Sequence, residues 1–189
     1  MALTTLDPNT ALLVVDLQKG LVGSPFNHPL EDVVGQARTL IEVFRKHGLP
    51  VVLINVAGSA PGRTEQPPRQ GGTLPDRFTD FIPELDQQPD DIVVTKRSWG
   101  AFASTDLNEQ LGAAGVTQVV IAGVATGTGV EATARQAYEL GFNVTLATDA
   151  MTDTRSEAHE YSIKNVFPRL GETGTSQEII DLLARTRSA

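Results

Sequence analysis

Short apolar segments alternate with longer amphipathic ones along this chain. Segments of four to six residues, rich in branched side chains, predict buried strands at Ala11–Val15, Val51–Val56, Ile92–Thr95, Gln118–Ala122 and Asn143–Ala147. Helical spacing of apolar residues predicts helices at Leu30–His47, Asp106–Ala114, Thr128–Leu140 and Ser176–Arg185. The regular alternation of strands and helices predicts a parallel sheet with helices on both faces.

The rest of the chain fits one domain. Gly58–Pro75 is rich in proline, glycine and polar residues, which predicts a long loop. A length of 189 residues suits a single α/β domain, which we expect to span residues 1–189.

Composition excludes several classes of function. With 23 acidic and 15 basic residues the net charge is −8, so we expect no nucleic-acid partner. No apolar run approaches the roughly 18 residues of a membrane span, so we expect a soluble, cytoplasmic protein without a membrane partner. The chain contains no cysteine, which excludes disulfides, thiolate metal sites and a thiolate nucleophile.

Chemically useful residues stand where predicted strands end. Asp16 follows the first strand and Lys96 the third, and the segment Val119–Arg135 runs from a strand into a glycine-rich turn that opens a helix. Ligands of open α/β sheets bind at such strand ends. Burial would raise the pKa of Asp16, and a nearby ammonium such as Lys96 would lower it. The alternatives are that Asp16 only caps its turn and that Lys96 is a solvated surface residue.

Together the segments LLVVDLQKG, IVVTKRSWGAF and VVIAGVATGTGVEATAR resemble the isochorismatase-like, or cysteine hydrolase, family. Most members of that family carry an aspartate, a lysine and a cysteine in the catalytic site. The matching positions here are Asp16, Lys96 and Gly129, so glycine replaces the nucleophile. The resemblance implies a doubly wound, Rossmann-like three-layer α/β sandwich with a mainly parallel sheet. It also implies a small-molecule substrate and a homo-oligomer, a dimer or larger.

The same resemblance implies a set of substrate-binding residues. They are Gln18, Trp99, Val124, Ala125, Thr126 and Thr128. It also implies a cis peptide bond between Val124 and Ala125, with the N–H groups of Ala125 and Gly129 as donors to a carboxylate or an oxyanion. Trp99 could instead pack in the core with Phe102. For Thr126 and Thr128 we favour the ordinary role of helix N-caps, and a nucleophilic Thr128 would need a general base within reach.

No metal or cofactor is expected. The nicotinamidase branch of the family has an Asp-x-His type of ligand set after the second strand, where this chain reads Asn55, Val56, Ala57 and Gly58. In the long loop, Arg63 and Arg69 could bind a carboxylate, although surface solvation explains either one. His159 receives no role.

True isochorismatases of this family also have glycine at the cysteine position. By that precedent, Asp16 would protonate the vinyl ether of an isochorismate-type substrate, and the missing side chain would leave room for a ring beside Gly129. The residues after it, Val130–Arg135, match the thiol hydrolases better. Two alternatives therefore stay open: hydrolysis of another small amide or ester-like substrate by Asp16-activated water, and a catalytically silent metabolite-binding protein.

Overall fold

The computed structural model describes residues 3–65 and 73–187, and these contain a six-stranded sheet. Its strands are Thr10–Val15 (β1), Val51–Val56 (β2), Ile92–Lys96 (β3), Gln118–Val124 (β4), Asn143–Thr152 (β5) and Glu172–Gly174 (β6). They lie in the order β3-β2-β1-β4-β5-β6, and all neighbouring pairs are parallel. The predicted doubly wound α/β fold is confirmed, and the sheet is parallel throughout.

Helices cover both faces of the sheet. They are Leu30–Lys46 (α1), Leu107–Ala113 (α2), Glu131–Glu139 (α3), Ser156–Tyr161 (α4) and Ser176–Arg187 (α5). Apolar residues of α1 and α5 form one half of the core, and those of α2 and α3 form the other. Among the described residues, no helix combines the length and the apolar character that crossing a membrane requires.

Strand β1 separates the two halves of the core. Its six residues are all buried, and successive side chains point to opposite faces. Leu12 and Val14 pack with α1 and α5, whereas Leu13 and Val15 pack with α2 and α3. Burial on both faces explains why the sequence of this strand is a continuous apolar run without alternation.

The strand order creates a switch point at the centre of the sheet. From β1 the chain moves outward through β2 to β3, and then returns to the other side of β1 to build β4. The connections after β1 and β4 therefore diverge, and ligands of such folds bind at the carboxyl ends of strands at this kind of point. Asp16 and the glycine-rich turn stand at this point.

Two predicted elements differ from the observed ones by three or more residues at one end, and one strand was not predicted. Strand β5 runs five residues further, to Thr152, because the register between β4 and β5 shifts after Ile121 and pairing resumes beyond the irregularity. Helix α3 begins at Glu131 instead of Thr128, because Thr126–Val130 forms a π-helical turn. Strand β6 was not predicted, because three residues are too few to show a pattern.

The predicted loop contains no helix or strand in its described parts, residues 58–65 and 73–75. Arg63 is exposed there, and Arg69 lies outside the described residues.

Candidate active site

Asp16 is buried immediately after the central strand. Its backbone is left-handed, with φ of 56°, a conformation that aspartate tolerates better than most residues and that is often found at functional sites. The residue is 5% exposed. Its Oδ2 accepts a hydrogen bond from Lys96, and its Oδ1 is buried without a partner among the described residues. The carboxylate therefore does not cap the turn, and that alternative is wrong.

Lys96 is the last residue of β3 and is 1% exposed, so the alternative of a solvated surface lysine is also wrong. Its Nζ lies 2.7 Å from Asp16 Oδ2 and 3.3 Å from the carbonyl oxygen of Ser98. A buried ammonium is stable only when paired and hydrogen-bonded, and these two oxygens provide that environment.

Burial and charge act on the Asp16 carboxyl in opposite directions. Loss of hydration raises its pKa, and the charge and hydrogen bond of Lys96 lower it. Burial has the larger effect, so the pKa rises from 3.8 to about 6. A carboxyl with this pKa can hold or release a proton near neutrality, as a general acid or base must.

Gly129 lies against this carboxyl, inside the π-helical turn Thr126–Val130. A Cβ at this position would stand 3.1 Å from Asp16 Oδ2 and 3.2 Å from both the Val124 carbonyl oxygen and Val15 Cγ1. The three predicted catalytic positions are therefore adjacent. The expected room for a ring is not found at this position, because even a Cβ would be in tight contact with the surrounding atoms. A ring would have to lie beyond that point.

The turn before Gly129 has the predicted backbone. The peptide bond between Val124 and Ala125 is cis, as the resemblance implied. Gly123 precedes it with φ of 111°, and a Cβ there would meet the Val15 carbonyl oxygen at 2.1 Å. Only glycine allows β4 to approach β1 so closely. The carbonyl of Ala125 accepts the N–H groups of Thr128 and Val130. Binding of an anion by the N–H groups of Ala125 and Gly129 stays a prediction.

Neither threonine is an N-cap, contrary to our expectation. The fully buried hydroxyl of Thr126 forms a 2.8 Å hydrogen bond with Nδ1 of His159. The Thr128 hydroxyl donates to the Ala125 carbonyl at 3.5 Å. The backbone N–H of Gly127 instead donates to Oδ2 of Asp153, at 2.8 Å.

Asp153 and His159 were missed as contributors to the site. Asp153 follows β5 and is 2% exposed, and His159 belongs to α4 and is 8% exposed. Their positions give little signal in the sequence, because only the pairing of β5 with β4 and the packing of α4 bring them to the turn. Both hold the turn from the side away from Asp16.

Two predicted substrate-binding residues have different surroundings from those expected. Gln18 is fully buried, and its amide nitrogen donates to the carbonyl oxygens of Val56 and Phe78 while its oxygen accepts the Val56 N–H. These bonds join the segment that follows β1 to β2 and to the segment after the long loop. Trp99 is 65% exposed, so the alternative that it packs in the core is wrong, whereas Phe102 is buried.

Cavity volume does not identify the site. One surface cavity of about 380 Å³ includes Gln118 and Asn143, the first residues of β4 and β5, at the opposite edge of the sheet. Another of about 400 Å³ is lined in part by Lys19, Asn55 and Asp80. Neither is lined by Asp16 or Lys96. The candidate site is therefore identified by its buried ion pair and by the glycine turn beside it. In residues 3–65 and 73–187, no group of three or more histidines and carboxylates could hold a metal ion.

Gly129→Ala should lower the free energy of unfolding by about 1–2 kcal/mol, because the new methyl group has to displace the Asp16 carboxyl and the backbone at Val124. Gly35→Ala is the matched control: it lies in α1 with open space around it and should stabilise by about 0.5 kcal/mol. Urea denaturation measures both. Equal effects of the two substitutions would contradict close packing at Gly129.

Lys96→Met should lower the free energy of unfolding more at pH 8 than at pH 5. Without the ammonium, burial alone acts on Asp16 and raises its pKa beyond about 6. When a carboxyl has a higher pKa in the folded than in the unfolded state, the free energy of unfolding falls as the pH rises from the unfolded pKa to the folded pKa. Above the folded pKa it changes no further. The variant therefore continues to lose stability between pH 6 and 8 where the wild type does not, by about 1–3 kcal/mol.

Urea denaturation of Lys96→Met and of the wild type, at pH 5 and at pH 8, measures the difference in their free energies of unfolding. Arg38→Met, which removes the exposed ion pair with Glu42, is the control and should show little dependence on pH. A loss for Lys96→Met that is the same at both pH values would show that Lys96 does not lower the Asp16 pKa.

The chain is similar to known proteins over nearly its whole length. The sequence profile of the Isochorismatase domain matches residues 10–178. The "uncharacterized isochorismatase family protein YwoC" of Bacillus subtilis (strain 168) is 40% identical, over 91% of this chain and 93% of its own. Nicotinamidase 3 of Arabidopsis thaliana is 32% identical, over 85% and 83%. The structure of an isochorismatase family protein from Burkholderia thailandensis superposes with a TM-score of 0.90 and 37% identity, covering 95% of this chain and 98% of the other. The chain belongs to the isochorismatase family of hydrolases.

Proposed function

We propose that the protein hydrolyses the vinyl ether of a small carboxylated, isochorismate-type substrate, with Asp16 as the general acid and without a covalent intermediate. The observation that carries this proposal is the Asp16 carboxyl itself, which is buried against Gly129 with a pKa of about 6. The chain has no cysteine, so the nucleophile used by most of the family is missing. A group that can deliver a proton remains.

The reaction needs one proton transfer to carbon. The protonated Asp16 carboxyl gives its proton to the terminal vinyl carbon, and the ether oxygen then supports an oxocarbenium ion. Water adds to that cation and loses a proton, which can return to the Asp16 carboxylate. The hydroxyl proton of the resulting hemiketal passes to the oxygen attached to the ring, the bond between that oxygen and the hemiketal carbon breaks, and pyruvate and a dihydrodiol are released. No bond to the enzyme forms at any step.

Lys96 would position the acid. Its Nζ holds Oδ2 of Asp16 at 2.7 Å, so Oδ1, which is buried and has no partner among the described residues, would be the oxygen that contacts substrate. The ammonium also prevents the pKa from rising further, which keeps the carboxyl able to lose its proton. A substrate carboxylate would bind the N–H groups at Ala125 and Gly129, at the amino-terminal side of α3.

Two observations favour a second candidate, amide hydrolysis with Asp16 as a base that activates water. The similar protein from Arabidopsis thaliana is named a nicotinamidase, and residues 130–135 follow the pattern of the thiol hydrolases. In that reaction Asp16 would have to be ionised when the substrate binds. The two candidates therefore require opposite protonation states of the same carboxyl.

The net charge of −8 supports a small-molecule substrate without a nucleic-acid partner. We also infer a cytoplasmic homo-oligomer, a dimer or larger, built from one domain, with a site that uses neither metal nor cofactor.

Asp16→Asn should reduce pyruvate release from isochorismate at least about a hundredfold, the scale expected when a positioned proton donor is lost. A coupled lactate dehydrogenase assay measures the rate. Asp106→Asn makes the same chemical change at an exposed residue before α2 and should leave the rate unchanged. If the wild-type protein releases no pyruvate above background, the proposed substrate is wrong.

The pH dependence of kcat should separate the two candidates. If Asp16 is the general acid, its neutral form is active, and kcat should fall about tenfold per pH unit above a pKa of about 6. If Asp16 activates water, the ionised form is active, and kcat should fall below that pH instead. Rates measured from pH 5 to 8 decide between them. A profile that does not change with pH would remove Asp16 from both mechanisms.

A further inference from the structure

We propose that His159 is a positioning residue for the catalytic turn: through Thr126 it holds Gly129 and the adjoining backbone against Asp16. This inference rests on the proposed role of Asp16. Among the described residues, His159 is hydrogen-bonded to Thr126 and not to Asp16 or Lys96, so its effect would pass through the turn.

The contact between His159 and the turn is buried and specific. Thr126 is the first residue of the π-helical turn, three positions before Gly129, and is fully buried. Its hydroxyl is satisfied by Nδ1 of His159 at 2.8 Å. A buried hydroxyl without a partner is unfavourable, so a turn that lost this bond would move to satisfy the hydroxyl elsewhere. Movement of Thr126 would carry Gly129 with it.

A second contact fixes the same turn beside the first. Oδ2 of Asp153 accepts the Gly127 N–H at 2.8 Å, and a Cβ on Gly127 would lie 3.1 Å from Cβ of Ala158, the neighbour of His159. Helix α4 therefore packs directly on the turn. The turn is fixed by Asp153 and His159 on one side and approaches Asp16 on the other.

His28 packs against His159 from the solvent side. The centroids of the two rings lie 4.7 Å apart. His28 is exposed, and its Nδ1 lies 3.0 Å from the hydroxyl of Thr152 at the end of β5. Burial and the proximity of His28 lower the pKa of His159, which favours a neutral ring next to Thr126. The segment before α1 thus covers the histidine.

Two substitutions of His159 test this role as a matched pair. In His159→Asn, the amide occupies the place of Nδ1 and can still bond Thr126. In His159→Gln, the amide reaches the place of Nε2 and cannot. Thr126→Val removes the same bond from the other side with almost no change in shape. His47→Leu, at the end of α1, is the control for loss of a histidine.

The first measurement needs no substrate. The ¹³C NMR signal of the Asp16 carboxyl, assigned with Asp16→Asn, gives its titration midpoint, which burial raises to about 6. In His159→Gln and Thr126→Val the displaced turn should admit water and move the midpoint by about half a unit or more toward 3.8. His159→Asn and His47→Leu should keep the wild-type midpoint. A residue that only stabilised the fold would lower the melting temperature without this shift.

The second measurement uses isochorismate. His159→Gln and Thr126→Val should each lower kcat by about ten- to a hundredfold with little change in KM, because a small displacement at the reacting centre affects the transition state most. The double variant should be no slower than either single one, since both remove the same bond.

Unchanged midpoints in both single variants, or multiplied losses of kcat in the double variant, would overturn the proposal. If the wild-type protein releases no pyruvate, the proposed function fails, and the NMR titration still decides the role of His159.

Discussion

The candidate site depends on a buried ion pair at the carboxyl ends of strands β1 and β3. Asp16 and Lys96 are both withdrawn from water, and each would be unstable alone in that position. Their contact joins β1 to β3 although β2 lies between them. Two strand spacings amount to roughly 10 Å, and the side chains of Lys96 and Asp16 together bridge this distance across the end of β2. The ion pair therefore depends on β1 and β3 lying on either side of β2.

The same pair explains why a carboxyl with unusual acidity can persist in a stable fold. Burial favours the neutral acid, and the ammonium favours the carboxylate, so neither form is strongly excluded. In water Asp16 would be an ordinary ionised carboxylate at neutrality, and in the interior without Lys96 it would hold its proton tightly. Between these limits the proton can be transferred. The surrounding apolar core supplies the burial on which this balance depends.

The lack of a side chain at Gly129 has a structural consequence. A Cβ there would be in tight contact with the Asp16 carboxyl, the Val124 carbonyl and Val15. The turn that carries the glycine can therefore lie close to Asp16, and it is held by hydrogen bonds to His159 and Asp153. A reaction at such a site would rely on the positions of backbone and carboxyl groups. Residues that hold the turn without contacting substrate would therefore affect the reaction.

The sequence determined the fold class and the order of its elements. Continuous apolar runs such as Val51–Val56 predict strands buried on both faces, and the spacing of apolar residues in α1 predicts a helix that buries one side. Motif resemblance also placed Asp16, Lys96 and Gly129 in one site and located the cis bond after Val124.

Tertiary structure determined the burial, the pKa and the hydrogen-bond partners of those residues. The pKa of Asp16 depends on Lys96, 80 residues away in the sequence, and its carboxyl lies close to Gly129, which is more distant still. The contact of Thr126 with His159 joins residues 33 apart across the pairing of β5 with β4. The exposure of Trp99 and the internal hydrogen bonds of Gln18 depend likewise on which segments come to lie beside them. Local sequence specifies the elements because periodicity is local, whereas burial and hydrogen-bond partners are properties of the assembled sheet.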